Sequence, residues 1–220
     1  IVARVTEIAA AGGPLLRVAP LRRKRAGLVM TTLPGVAEEQ LARAAKSQAQ
    51  RMAYLGGEVA REVRVPHATA SLAAAMEGLL AEGLDLVLVL GASAIVDRDD
   101  VVPAAIRAIG GTVDHLGMPV DPGNLLLLGH RGDVPIVGVP GCARSLRPSG
   151  FDWVLERLVA ELPVGRDDIM RMGAGGLLAE IPGRPAPRAT SGTASPQSHA
   201  TSGTSSPRWA PHATSPAGSA

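Results

Sequence analysis

The stretch Asp85-Leu-Val-Leu-Val-Leu-Gly-Ala-Ser-Ala-Ile-Val-Asp-Arg-Asp-Asp-Val-Val-Pro103 decides the fold. Leu84 to Leu90 is apolar at every position except Asp85, so it reads as a strand buried on both faces. Such a strand belongs in the middle of a parallel sheet with helices above and below. The residues behind it, Gly91-Ala92-Ser93-Ala94, are small enough for a tight turn, or for backbone N–H groups to approach an anion. Val101 to Ile109 then reads as a helix carrying Pro103 in its first turn, where a missing N–H costs little.

Working outward, Ala26 to Thr32 reads as a core strand closed by a Leu33-Pro34-Gly35 turn. Glu38 to Leu55 places Leu41, Ala45, Ala49 and Met52 at helical steps and ends at Gly56-Gly57. Glu58 to Val65 alternates Val59, Val63 and Val65 with charged neighbours, the pattern of a strand nearer an edge. Thr69 or Ser71 is expected to cap a helix carried by Leu72 to Glu82. Thr112 to Leu116 is a further strand, followed by a hairpin of Leu125–Leu128 and Val134–Val139 and a closing helix over Phe151–Leu162. Ile1 to Ile8 reads as a short strand. The expected fold class is α/β: a three-layer, mostly parallel sheet flanked by helices, with a small antiparallel element late in the chain.

The organisation expected is a segment (1–24) of the kind that would connect from an upstream domain, an α/β domain (25–181) and a tail (182–220). In the tail, Arg188–Pro196 is nearly repeated by His199–Pro207, and its Pro, Ser, Thr and Ala composition cannot offset the entropy of ordering, so disorder is expected there. Of the 220 residues 46% are hydrophobic, enough for a core, but only 2% are aromatic, which argues against base-stacking platforms for single-stranded nucleic acid. Lys and Arg number 22 against 20 Asp and Glu, and a formal charge of +2 offers no broad basic field for DNA or a membrane. The Arg22-Arg23-Lys24-Arg25 run reads as a solvated approach to a strand. A lone Cys142 excludes a disulfide framework and fits a reducing, cytoplasmic setting, and no apolar run is long enough for a membrane span.

Three loops carry the candidate chemistry: 91–94, Met118-Pro-Val-Asp-Pro-Gly-Asn124, and Gly138-Val-Pro-Gly-Cys-Ala-Arg-Ser145. At the carboxyl edge of a parallel sheet such loops suit a phosphate-bearing ligand. The later glycines of G-x-G-x-x-G, the Lys-Ser/Thr of a P-loop and the last glycine of G-x-S-x-G are all missing. Asp97, Asp99 and Asp100 precede the helix at Val101; one of them is accounted for by an N-cap, while three in four positions also suit a Mg²⁺ that neutralises phosphate, with Arg98 pairing the same anion. Cys142 reads as an unreactive small residue in a Pro-Gly turn, and His67 and His115 as surface or core-edge histidines. No H-x-x-x-H or paired-Cys spacing for a zinc site is present.

These residues resemble the molybdopterin-binding domain of molybdenum-cofactor biosynthesis proteins of the MogA/MoeA type. The resemblance runs from about Arg25 to Leu162 and rests on the Gly-Ala-Ser-Ala loop followed by Asp-Arg-Asp-Asp-Val-Val-Pro, on Asp-Pro-Gly-Asn (121–124) and on Gly-Val-Pro-Gly-Cys-Ala-Arg-Ser (138–145), in the family's order. The wording of the last two loops is similar to the molybdopterin-binding half of bacterial proteins that carry a nucleotidyltransferase-like domain behind it. The resemblance implies binding of molybdopterin or a nucleotide-linked form, with molybdate insertion as the reaction. It implies Asp100 as the catalytic aspartate, Asp99 as its alternative and Asp85 as the strand-start aspartate. Ligand contacts fall on Gly91, Ala92, Ser93, Ala94, Asp97 and Arg98, on Asp121, Pro122, Gly123 and Asn124, and on Pro140, Gly141, Cys142 and Ser145. It further implies a cofactor-synthesis or molybdoenzyme partner and self-association as dimers or trimers. Asp121 and Asn124 stand where the family has lysines, and Val65-Pro66-His67 where it often has Asp-Asp, so binding is better supported than catalysis. A carrier or regulatory module that has lost the reaction is the alternative.

Overall fold

The computed structural model describes residues 2–11 and 18–173; the tail expected to be disordered lies outside the described residues. Six strands form one sheet: β1 (Arg25–Thr32), β2 (Glu58–Pro66), β3 (Leu86–Leu90), β4 (Thr112–Leu116), β5 (Leu127–Arg131) and β6 (Val134–Gly138). Their spatial order is β2-β1-β3-β6-β5-β4. The β1–β2, β1–β3 and β3–β6 pairs are parallel, and β5 runs antiparallel to both neighbours. The helices are α1 (Val2–Ala11), α2 (Glu38–Tyr54), α3 (Thr69–Ala81), α4 (Val101–Ala108), α5 (Gly150–Val159) and α6 (Arg166–Arg171).

β3 lies in the interior of the sheet, and all five of its residues are buried. Successive side chains of a strand point to opposite faces. Leu86, Leu88 and Leu90 therefore join one core with Leu41, Ala44 and Met52 of α2 and Phe151, Val154 and Leu155 of α5. Val87 and Val89 join the other, with Leu72, Met76 and Leu79 of α3 and Val102 and Ile106 of α4. Each such side chain contributes up to about 1.5–3 kcal/mol by burial. The leucine and valine alternation hidden in a uniformly apolar run thus assigns which helix packs on which face. β2, at one edge, is mostly exposed and carries charges that discourage further strand pairing.

Two local expectations are corrected. Residues 2–11 form a helix rather than a strand; Arg4 and Glu7, three residues apart, form an exposed ion pair at 2.7 Å that suits helical spacing. The residue before α3 is Ala68, with no side-chain cap, so neither Thr69 nor Ser71 serves as one. The hairpin is tighter than the sequence pattern suggests, turning on Gly132 and Asp133 between β5 and β6. The turn Gly141–Arg144 is a short 3-10 helix, and α6 was not expected. No described helix is long and apolar enough to cross a membrane.

Candidate functional site

β1 leads through α2 outward to β2, and the chain then returns past β1 to β3 on its other side. The carboxyl ends of β1 and β3 therefore flank a point where the strand order reverses, the place where open α/β sheets form ligand crevices. A cleft of about 380 Å³ opens there, lined by Thr31, Val36, Gln40, Leu41, Arg43, Ala92 and Arg144. That size falls within the range of small-molecule sites. Val36 and Leu41 give it an apolar wall; Gln40, Thr31 and two guanidinium groups give it a polar one.

The Gly91 loop is held from three directions. Thr31 Oγ1 accepts the Ala92 N–H at 2.8 Å. His67, directly after β2, lies between Thr31 Oγ1 (2.7 Å from Nδ1) and Ser93 Oγ (2.8 Å from Nε2). Arg144 Nη2 donates to the Gly91 carbonyl at 2.7 Å. At Gly91 an added Cβ would stand 2.9 Å from the Ser93 carbonyl oxygen, a backbone atom that cannot give way cheaply, so the turn admits no side chain.

Arg144 is itself placed by α2. Gln48 Nε2 and Arg51 Nη1 donate to the Ala143 carbonyl at 2.7 and 2.9 Å, and Arg51 Nη2 donates to the Ser145 carbonyl at 2.6 Å. Arg51 Nε also meets Asp152 Oδ1 at 2.7 Å, and Asp152 Oδ2 in turn accepts the Ser149 N–H that opens α5. A polar stripe of one helix thereby fixes the 141–147 segment against the sheet edge.

The carboxylates are engaged locally. Asp100 occupies the residue before α4 but makes no cap to that helix. Its Oδ2 accepts the Val96 and Asp97 N–H groups at 2.8 and 2.9 Å, and these bonds hold the carboxyl below the usual range. Asp97 Oδ1 takes the Asp99 N–H, and Asp99 Oδ1 is reached by Arg107 at 3.0 Å. The three therefore fold the 96–100 loop, each through a partner of its own. Among the described residues no group of three or more His, Cys, Asp and Glu side chains is arranged to hold a metal. Arg98 is exposed, its field reaches His115, and it is not a lining residue of the cleft.

Asp85 lies at the opposite end of the strands, where it accepts the Arg25 N–H at 2.7 Å; the structure does not bring it to the loops. The 118–124 loop is carried on the start of α5, with the Gly150 N–H donating to the Pro122 carbonyl at 2.8 Å and Gly123 at φ +130° against Gly150. Asp121 comes near enough to Cys142 to help raise the thiol, whose shift is mainly the work of burial. An unactivated thiol is the consequence. Pro140, Gly141, Cys142 and Ser145 belong to the arch that delivers Arg144, and Ser145 Oγ donates back to the Cys142 carbonyl. Arg43, Gln40 and Thr31 were not singled out by the sequence reading, and His67 and Arg144 were noticed there without being assigned to the site. Arg43 and Gln40 lie three residues apart on a helix read only for its apolar face.

No protein-family model matches the chain, and no curated protein matches its sequence. Among solved structures the chain is similar to CinA of unknown function from Thermoplasma acidophilum, with 15% identity and a TM-score of 0.47 over 62% of this chain and 98% of that one. It is also similar to the molybdopterin biosynthesis enzyme MoaB of Thermus thermophilus, at 20% identity and a TM-score of 0.44 over 64% and 98% of the two chains. A molybdopterin biosynthesis protein from Mycobacterium abscessus gives 16% identity and a TM-score of 0.42 over 63% and 92%.

Proposed function

We propose that the chain binds molybdopterin, or its nucleotide-linked form, in molybdenum-cofactor biosynthesis, with the ligand's phosphate in the cleft at the ends of β1 and β3. The observation that carries this reading is the pair Arg43 and Arg144 lining one cleft with Thr31 and Ala92. Guanidinium forks suit phosphate oxygens. They supply the positive charge that Asp121 and Asn124 cannot, Arg43 from helix α2 and Arg144 from the third loop of the sequence resemblance. Val36 and Leu41 offer the apolar wall for the ligand's ring. A partner that supplies or receives the pterin belongs to the same proposal.

A second reading, a carrier that holds the pterin without inserting molybdate, is favoured by one specific observation: the carboxylate of Asp100 already accepts two backbone N–H groups. Calorimetric titration with molybdopterin, then with its adenylylated form plus molybdate, separates the two. Uptake that Arg144→Ala weakens by about 10-fold or more, one charge-assisted hydrogen bond, supports binding. Uptake without cofactor release supports the carrier. A chain that takes up neither pterin is not a pterin protein.

A further inference from the structure

His67, which the sequence offers only as an ordinary loop histidine, joins Ser93 to a buried threonine, and counting protons along that chain fixes its direction. Thr31 is 1% exposed. Among the described residues its hydroxyl oxygen has two partners, the Ala92 N–H and His67 Nδ1. The N–H can only donate, so the Thr31 O–H is left with Nδ1 as its acceptor, and a buried hydroxyl proton without an acceptor is costly. Nδ1 then carries the lone pair, and neutral His67 holds its proton on Nε2, which points at Ser93 Oγ 2.8 Å away. Ser93 accepts from His67 and must send its own O–H elsewhere. The Ser93 side belongs to an exposed loop beside the cleft-lining Ala92.

We infer that His67 is a positioning residue: through the chain Thr31 → His67 → Ser93 it orients the Ser93 hydroxyl as a hydrogen-bond donor to a phosphate oxygen of the bound ligand. The contact alone would equally suggest a serine nucleophile with a histidine base. That role needs an unprotonated Nε2 to receive the serine proton, whereas this chain fills Nε2 and empties Nδ1. The arrangement therefore binds an anion rather than attacking an ester. This inference rests on the phosphate-binding reading for its ligand, though its histidine state does not.

The test begins on the ligand-free chain. Long-range nitrogen–proton correlation NMR of His67 should show the Nε2–H form; an Nδ1–H form overturns the inference whatever the protein binds. In titrations with molybdopterin, Ser93→Ala and His67→Ala should each weaken binding about 3- to 10-fold, the worth of one ordinary hydrogen bond. The double variant should be no weaker than Ser93→Ala, since His67 acts through Ser93. His67→Gln, which keeps an N–H donor at the Nε2 end, should recover most of the loss. Additive losses, a Gln variant as weak as Ala, or labelling of Ser93 by a fluorophosphonate probe that requires His67 would each overturn it. A wild-type chain that takes up no pterin defeats the binding proposal alone, and the NMR result still decides the direction of the chain.

Discussion

Arg51→Met tests the claim that α2 builds the cleft from behind. Arg51 is 4% exposed and donates to the carbonyls of Ala143 (2.9 Å), Ser145 (2.6 Å) and Arg147 (3.3 Å) as well as to Asp152 (2.7 Å). Its guanidinium also stands 5.7 Å from the centre of the Phe151 ring. Methionine retains much of the packing but none of the donors. Each charge-assisted bond contributes about 1.5–3 kcal/mol, and the bonds share acceptors on one segment, so they do not add. Removing one partner of a fully buried pair costs about 3–5 kcal/mol; Asp152 is partly exposed and keeps the Ser149 N–H, so here a cost of that size comes from the loss of several donors together. We therefore expect a loss of about 3–5 kcal/mol. With a urea slope of about 2 kcal/mol/M, the unfolding midpoint falls by roughly 1.5–2.5 M. The assay is equilibrium urea unfolding followed by circular dichroism, with the slope compared between variants. An Arg51→Met/Asp152→Asn pair should show clear coupling in a double-mutant cycle. A loss under about 1 kcal/mol at unchanged slope would refute the reasoning, and would mean that the 141–147 segment is held by its own turn.

Gly91→Ala should destabilise by about 1–3 kcal/mol by driving a Cβ into the Ser93 carbonyl, and titration should show weaker pterin binding because the loop must move. Asp100→Ala should cost about 1–2 kcal/mol in thermal or urea unfolding, as loss of a carboxylate that ties two backbone N–H groups does, without abolishing pterin binding. Because its folded pKa is depressed, the stability Asp100 provides is present above about 3.8 and disappears as pH falls through the folded value. The His115 pKa is lowered too, by burial first and then by Arg166 and Arg98, from 6.5, but for a base this favours the neutral form. Below pH 6.5 the unfolded chain binds the proton more readily, so stability should fall as pH drops from 7.5 toward and through the folded value. His115→Gln should flatten that part of the urea-midpoint profile, and an unchanged slope against pH would count against the assignment.

The sequence by itself determined the sheet. Apolar runs of strand length separated by helical periods identified β1, β2, β3, β4 and the late hairpin, since burial on one or both faces leaves its mark locally, residue by residue. It also marked the three loops, because small residues and prolines are needed wherever a backbone turns tightly. The tertiary structure decided which of those residues share a place. Arg43 and Gln40 sit on the polar face of α2, His67 follows an edge strand, and Arg144 lies 53 residues beyond the Gly91 carbonyl it reaches; no local period relates them. Asp85 and Asp100 stood out as acids beside a promising loop, but one lies at the opposite end of the strands and the other is bonded to its own loop. The direction of a strand and the partner of a carboxylate depend on contacts distant in the chain. For that reason the cleft, and the two guanidinium groups that line it, emerged only from the folded arrangement.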